Sequence, residues 1–371
     1  FLLDPDHKIS WHGEGADQIA FLLAEYLRPA TGFSLPVEYG TGGDIQLVST
    51  SSAQPDLAGF VDESYQLVIN DSVTITAPNS SGLARGIQTF RQLLPAGIFK
   101  NTIQLNSWIM PCVVVQEAPR VRWRGQPLDV SRHFFSVKEG CNFIDLLALH
   151  RLNIFHIHLT DDQGWRIEIK KYPRLTEIGS VRSSTLIGHN NDQPQRFDGI
   201  TYGGYYTQED IRTIVNYASA RHIIVVPEID MPGHTAAAIA AYPELGNQVK
   251  DFQVRCHWGV SQHIHNAENQ TIEFMKNVLS EVMDLFPGTF IHIGGDEAPK
   301  DEWKTNQRVQ QKITQLGIKN EEELQTWFLG QIAHHIAAGG RRMIGWDEIL
   351  EGGLPEGAAV MSWRGEAGGL M

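Results

Sequence analysis

The run FIHIGGDEAPK, residues 290–300, places two carboxylates, Asp296 and Glu297, directly behind an apolar stretch and two glycines. Adjacent acids repel, and repulsion separates their proton affinities: if Asp296 stays ionised, it raises the pKa of Glu297 and keeps a proton there to donate. Neighbouring residues of an extended chain point to opposite sides, so one pair can reach two parts of a ligand. The glycines let a ligand approach the backbone closely. Five other apolar runs end in polar residues too. Leu128–Val130 leads into Ser131, Arg132 and His133, Ile154–Leu159 into Asp161 and Asp162, and Ile223–Val226 into Glu228, Asp230 and His234. Met343–Trp346 is followed by Asp347 and Glu348, and Ala359–Trp363 by Arg364 and Glu366. Acids with one arginine, one histidine and several tryptophans suit a sugar: indole faces stack on pyranose rings, while carboxylates handle protons and hydroxyls.

Those residues need a scaffold that gathers strand ends. Strands apolar on both faces and alternating with helices predict parallel pairing. The helical faces are Ile211, Ile214, Val215 and Ala218; Ile272, Met275, Leu279, Val282 and Met283; and Leu324, Trp327, Phe328 and Ile332. With no G-x-G-x-x-G turn, the α/β pattern favours a (β/α)8 TIM barrel over a doubly wound sheet, and a barrel brings its strand ends to one face. Six units are legible, so the last two are expected beyond Met371.

The texture differs before residue 119. YQLVINDSVTITA alternates around Asn70-Asp71 as a hairpin does. Leu83, Ile87, Phe90 and Leu94 share one helical face, as do Ile19, Leu22, Leu23, Tyr26 and Leu27. Residues 1–118 read as a small α+β domain without a polar chemical cluster, serving packing or positioning, and 119–371 as the barrel.

The chain of 371 residues is 42% hydrophobic, enough for a sizeable core, and 30 basic against 43 acidic side chains leave a net charge of −13. That balance argues against nucleic acid or an anionic membrane as partner. Cys112, Cys141 and Cys256 are three and widely spaced, which specifies neither a disulfide framework nor a C-x-x-C metal site. No apolar run has transmembrane length. The chain starts at Phe1, so any signal peptide would already have been removed.

In order along the chain, LDVSRHFF, HIHLTDDQGWRIEIKKYPRL, VVPEIDMPGHTAAA and HIGGDEA resemble the family 20 glycoside hydrolases, the β-N-acetylhexosaminidases. The resemblance runs from about Pro119 to Trp363, and the preceding module is similar to that family's N-terminal α+β domain. It implies a retaining exo-enzyme that removes terminal β-linked GlcNAc or GalNAc from oligosaccharides or glycoconjugates, an exception to the usual two-carboxylate scheme. In that scheme the substrate's 2-acetamido oxygen attacks the anomeric carbon to give an oxazolinium. By resemblance, Glu297 is the general acid and base and Asp296 holds the acetamide N–H. Asp161 and His234 orient and tune the acid, Arg132 binds sugar hydroxyls, and Trp346 and Trp363 wall the pocket. Asp162 is read either with Asp161 or as structural. The family's tyrosine for the acetamide oxygen would lie beyond Met371. The resemblance implies no cofactor, no metal and an exported protein, periplasmic or extracellular; it leaves the oligomeric state open. The insert 185–206 is placed to shape substrate preference.

Two other readings compete. His156 and His158 share one strand face, and His263 with His265 repeats the spacing, as in metal-dependent barrel hydrolases. No lysine or further histidine follows at a matching strand end, which favours histidines satisfied within a barrel wall. The other alternative is a catalytically impaired sugar-binding barrel, against which the intact acid pair speaks.

Overall fold

A computed structural model describes residues 1–51, 55–247 and 251–370, which separate into two compact units. The first holds Phe1–Gly125 with Phe143–Ile154 and Tyr217–Ile223; the second holds Gln126–Asn142, Phe155–Asn216 and Ile224–Met371.

The first unit carries a six-stranded sheet in the order Val37–Tyr39, Ile9–His12, Ile45–Ser49, Val73–Ala77, Tyr65–Ile69, Val113–Glu117. The expected hairpin is present, with Ile69 paired antiparallel to Val73. Alternation turns Ile45, Leu47, Tyr65, Leu67, Ile69, Val73 and Ile75 into the core, and helices Ala16–Thr31 and Ser80–Leu93 pack there. Asn79 caps the second helix by accepting from the Ser81 and Gly82 amides. This helix departs from the amphipathic expectation, because every residue from Ser81 to Arg91 is buried. Its Arg85 is therefore buried and pairs at 2.7 Å with buried Glu63, which also meets Arg124 and, at 3.2 Å, Asn153. The unit thus holds a polar cluster that hydrophobic patterning did not show. Each guanidinium faces the Glu63 carboxylate, so neither is left without an opposite charge.

The second unit contains six parallel strands in consecutive order: Gly125–Asp129, Ile154–His158, Ile224–Glu228, Phe290–His292, Arg342–Trp346 and Ala359–Met361. All six were expected, and they are six successive strands of the (β/α)8 fold. The predicted helices follow at Gln208–Ser219, Asn269–Leu285 and Glu321–Ala338, and a further one, Val137–Leu149, lies between the first two strands. All five residues of the second strand are buried, as a strand covered on both faces requires. The insert 185–206 forms short two-stranded pairs, Leu186–Ile187 with Arg196–Phe197 and Val181–Arg182 with Tyr202–Gly203. The three cysteines form no disulfide. Among the described residues, no helix is long and apolar enough to cross a membrane.

Candidate active site

The carboxyl ends of the strands gather the charged residues. After the first strand, Asp129 Oδ1 accepts from the Ser131 and Arg132 amides at 3.0 and 2.9 Å, and its Oδ2 holds Arg132 Nη1 at 2.8 Å. This local turn aims the guanidinium so that Nη2 reaches Asp161 Oδ2 at 2.5 Å, while Nε donates to Gln163 Oε1 at 3.1 Å. Asp161 follows the second strand in a short hairpin and is fully buried. His234 follows the third strand with Nδ1 3.2 Å from Asp161 Oδ1. Its Nε2 stands 3.5 Å from Asp296 Oδ2 and 3.4 Å from Glu297 Oε2.

The acid pair does not sit on a continuing strand. The fourth strand ends at His292, and Gly294, Gly295 and Glu297 have φ of +65°, +92° and +41°. This backbone folds both carboxylates toward one imidazole instead of sending them to opposite sides, which corrects the expectation from strand alternation. The glycines also have another cause than ligand approach. A Cβ on Gly294 would stand 1.9 Å from Asp230 Oδ1, and one on Gly295 2.5 Å from Ile349 Cγ2, so packing and the left-handed backbone demand them.

Beneath these groups lies Glu228, fully buried. Its Oε2 meets His158 Nδ1 at 2.6 Å and His156 Nε2 at 2.8 Å. Its Oε1 accepts from Trp346 Nε1 at 2.8 Å and lies 3.0 Å from His292 Nδ1. His158 Nε2 is 2.9 Å from Asp161 Oδ2. His156 and His158, the pair behind the metal-hydrolase reading, therefore face a carboxylate within the barrel wall. His156, Glu228 and His292 have ligand-type atoms close enough to share an ion, as do His158, Asp161 and Asp230. The contacts of Glu228 with His156 and His158, and of His158 with Asp161, have hydrogen-bond distances, while His158 Nε2 stands 3.7 Å from Asp230 Oδ2. Of the second histidine pair, His263 Nδ1 meets Glu302 Oε1 at 2.6 Å and His265 is fully buried.

Proton affinities follow from these neighbours. Burial alone would push the Asp161 carboxyl up, but the His234 and Arg132 charges overcome it and hold the group far below the usual range. Burial opposes charge on His234, and Asp161 outweighs it, so the imidazole stays protonated well above its ordinary value. His158 is raised likewise, against burial, by Glu228 and Asp230. Burial and the charge of Glu228 push Asp230 well up, and neither of its oxygens has a hydrogen-bond partner among the described residues. Glu297 is lowered, chiefly by its hydrogen bond with His234. The sequence led to the opposite expectation, because it showed the adjacent acid but not the imidazolium against both.

One cavity of about 430 Å³ is lined by Arg132, Asp161, His234, Asp296, Glu297, Trp346 and Trp363, which is every site residue singled out from the sequence. Asp129, His158, Glu228 and Asp230 line it as well; of these, Glu228 and Asp230 were expected at a strand end without a role, and Asp129 and His158 were not expected there. The Asp-x-Ser-Arg spacing carried a signal for Asp129, since an aspartate commonly accepts from amides two and three residues on. Asp162 does not line the cavity: its Oδ1 accepts from the Ala236 amide at 3.0 Å, while its Oδ2 stands 3.6 Å from His234 Nδ1. Asp347 pairs with Arg364 at 2.9 Å, and Glu348 accepts from Trp363 Nε1 at 3.0 Å.

Six successive β/α units whose strand ends build a carboxylate- and tryptophan-lined cavity define an α/β barrel with its binding site at the carboxyl face. Residues 121–370 match the model of the glycosyl hydrolase family 20 catalytic domain, and residues 1–118 match domain 2 of the same family. The chain belongs to glycosyl hydrolase family 20. It is 44% identical to a beta-hexosaminidase of Porphyromonas gingivalis over 374 residues, covering 100% of this chain and 46% of that protein. A beta-hexosaminidase of Vibrio furnissii is 36% identical, over 84% of this chain and 50% of its own length. Among solved structures, the Streptomyces plicatus N-acetyl-beta-hexosaminidase in complex with thio-NAglucal superimposes with a TM-score of 0.81 at 34% identity, covering 98% of this chain and 66% of that one. The exo beta-N-acetylglucosaminidase of Vibrio harveyi in complex with N-acetylglucosamine gives 0.82 at 32% identity, over 100% and 56%. The chain spans about half the length of the curated relatives it matches.

Proposed function

We propose that the cavity binds a terminal, non-reducing β-linked N-acetylhexosamine and that the chain takes part in retaining, substrate-assisted hydrolysis of its glycosidic bond. The observation that carries this reading is the convergence of Asp296 and Glu297 on His234 within one tryptophan-walled cavity. The ligands named for the Streptomyces plicatus and Vibrio harveyi structures, thio-NAglucal and N-acetylglucosamine, support the same substrate class.

In the first step the 2-acetamido oxygen attacks the anomeric carbon, the glycosidic bond breaks, and Glu297 gives its proton to the departing oxygen. Asp296 accepts the acetamide N–H and offsets the positive charge on the resulting oxazolinium ring. In the second step Glu297 takes a proton from water, which adds to the anomeric carbon and reopens the ring. Arg132 donates to sugar hydroxyls, Trp346 and Trp363 wall the pocket, and Asp161 fixes the orientation of His234 beneath the acids. The substrates are oligosaccharides or glycoconjugates ending in GlcNAc or GalNAc. Residues 1–118 form a positioning domain and 119–371 the catalytic one.

The test is turnover of chromogenic β-N-acetylglucosaminide beside the matching β-glucoside by this chain. Hydrolysis of the first sugar alone is expected. Equal hydrolysis of both would mean that a protein side chain is the nucleophile, and loss of turnover on chelation, restored by zinc, would revive a metal-dependent reaction.

A further inference from the structure

We infer that Glu228 is a positioning residue: its single carboxylate fixes Trp346 on one wall of the cavity and, through His158, Asp161 beneath the acid pair. The inference rests on the reading of this cavity as the sugar pocket.

Four ring nitrogens surround the two Glu228 oxygens: His156 Nε2 and His158 Nδ1 on Oε2, Trp346 Nε1 and His292 Nδ1 on Oε1. Three of them hydrogen-bond to it, while His292 Nδ1 accepts from the Gly294 amide at 3.1 Å and stands beside Oε1. Of the four rings, Trp346 alone is only half-buried. An indole at a cavity wall has rotamers to choose from, and a charge-assisted bond to an immobile acceptor selects one. The His292 and His156 rings, centred 4.8 and 5.7 Å from it, support the same pose.

The second branch runs through His158. Its two nitrogens face two carboxylates, Glu228 at 2.6 Å and Asp161 at 2.9 Å, and only an imidazolium donates to both. Asp161 is held on Oδ2 by His158 and Arg132, which leaves Oδ1 directed at His234. Negative and positive groups thus alternate from Glu228 through His158, Asp161 and His234 to the acid pair. A carboxylate that merely compensated histidine charge would have no reason to end one branch on a pocket-wall indole.

The test is a double-mutant cycle between Glu228→Gln and Trp346→Phe, read on the N-acetylglucosaminide. Trp346→Phe removes the N–H and is expected to raise KM about tenfold with kcat within about threefold, as loss of uniform binding does. Glu228→Gln is expected to raise KM by a similar factor and also to lower kcat about tenfold, because it disturbs both branches. The double variant should have a KM no higher than either single variant, since one removes what the other positions. Multiplying KM effects, or a folded Glu228→Gln variant with unchanged KM, overturns the inference. If Glu228→Gln does not fold, Glu228→Asp, which keeps the charge but draws it back from the indole N–H, replaces it in the cycle, and independence from Trp346 again overturns it. If the unaltered protein does not hydrolyse the sugar, the functional reading fails, while the positioning role is still read from the Trp346 indole N–H resonance. That resonance should move in Glu228→Gln, and an unmoved resonance counts against the role.

Discussion

Gly294 and Asp230 are packed so closely that a single added carbon on the glycine would stand 1.9 Å from the carboxyl oxygen. The contact joins the ends of the third and fourth barrel strands and sets where the acid pair begins.

Gly294→Ala should therefore destabilise the protein by about 3 kcal/mol or more, because it combines a left-handed backbone with overpacking against an immobile buried group. Urea unfolding followed by circular dichroism measures this. A loss below about 1 kcal/mol would show that the strand ends yield easily, since at a strain-free position the same replacement stabilises by about 0.4–1 kcal/mol.

Glu297→Gln should leave the fold intact and lower turnover of the N-acetylglucosaminide by about 10²–10⁴-fold, the range for loss of a general acid. Asp296→Asn should also slow the reaction, because the amide loses the charge that faces the developing oxazolinium. Steady-state kinetics with a thermal melt as control decides, and a near-normal rate in either variant removes that residue from the chemistry.

Glu297 is held low in the open cavity by its hydrogen bond with His234, yet a proton donor has to carry a proton. A bound sugar covers a carboxylate whose side chain is 38% exposed, and loss of water raises a carboxyl pKa. Binding of N-acetylglucosamine near pH 5 should thus take up protons. Titration calorimetry in buffers of different ionisation heat reads the sign directly, and proton release would show that His234 still dominates when the pocket is filled.

Strand ends were legible because apolar runs followed by charge are local signals: Arg132, Asp161, His234 and Glu297 could each be placed from the residues beside them. The roles of Glu228 and His158 were not legible, because they depend on partners 70 residues apart in the chain. The same limit explains Glu297. Its neighbour in sequence argued for a raised pKa, whereas its neighbour in space, 63 positions earlier, lowers it. Gly294 and Gly295 were recognised as meaningful, but only packing shows that Asp230 and Ile349 require them. In the first unit, Arg85 sat within an apparently exposed helical face, and burial on all sides became visible only with Glu63 beside it.

His265 supplies a pH signature separate from catalysis. It is fully buried, neither ring nitrogen has a hydrogen-bond partner among the described residues, and burial pulls its imidazole down to about 4. The folded form stays neutral while the unfolded chain takes a proton below about pH 6.5, so its contribution is complete above 6.5 and is lost as pH falls toward 4. The loss amounts to about 3 kcal/mol over that interval. His158 and His234 act with opposite sign: both are raised, so their contribution is complete below about 6.5 and fades as pH rises. Asp161 and Glu228, both lowered, weaken the fold only as pH drops below the ordinary carboxylate range near 4. Thermal stability should thus peak near pH 6.5. His265→Phe, which keeps a ring in the site but cannot be protonated, should make the fall between pH 6.5 and 4.5 shallower, the rest belonging to His222, which burial and Arg85 likewise pull down to about 4, and leave the alkaline side as it was. An acid fall equally steep in the variant would assign that loss to other buried groups.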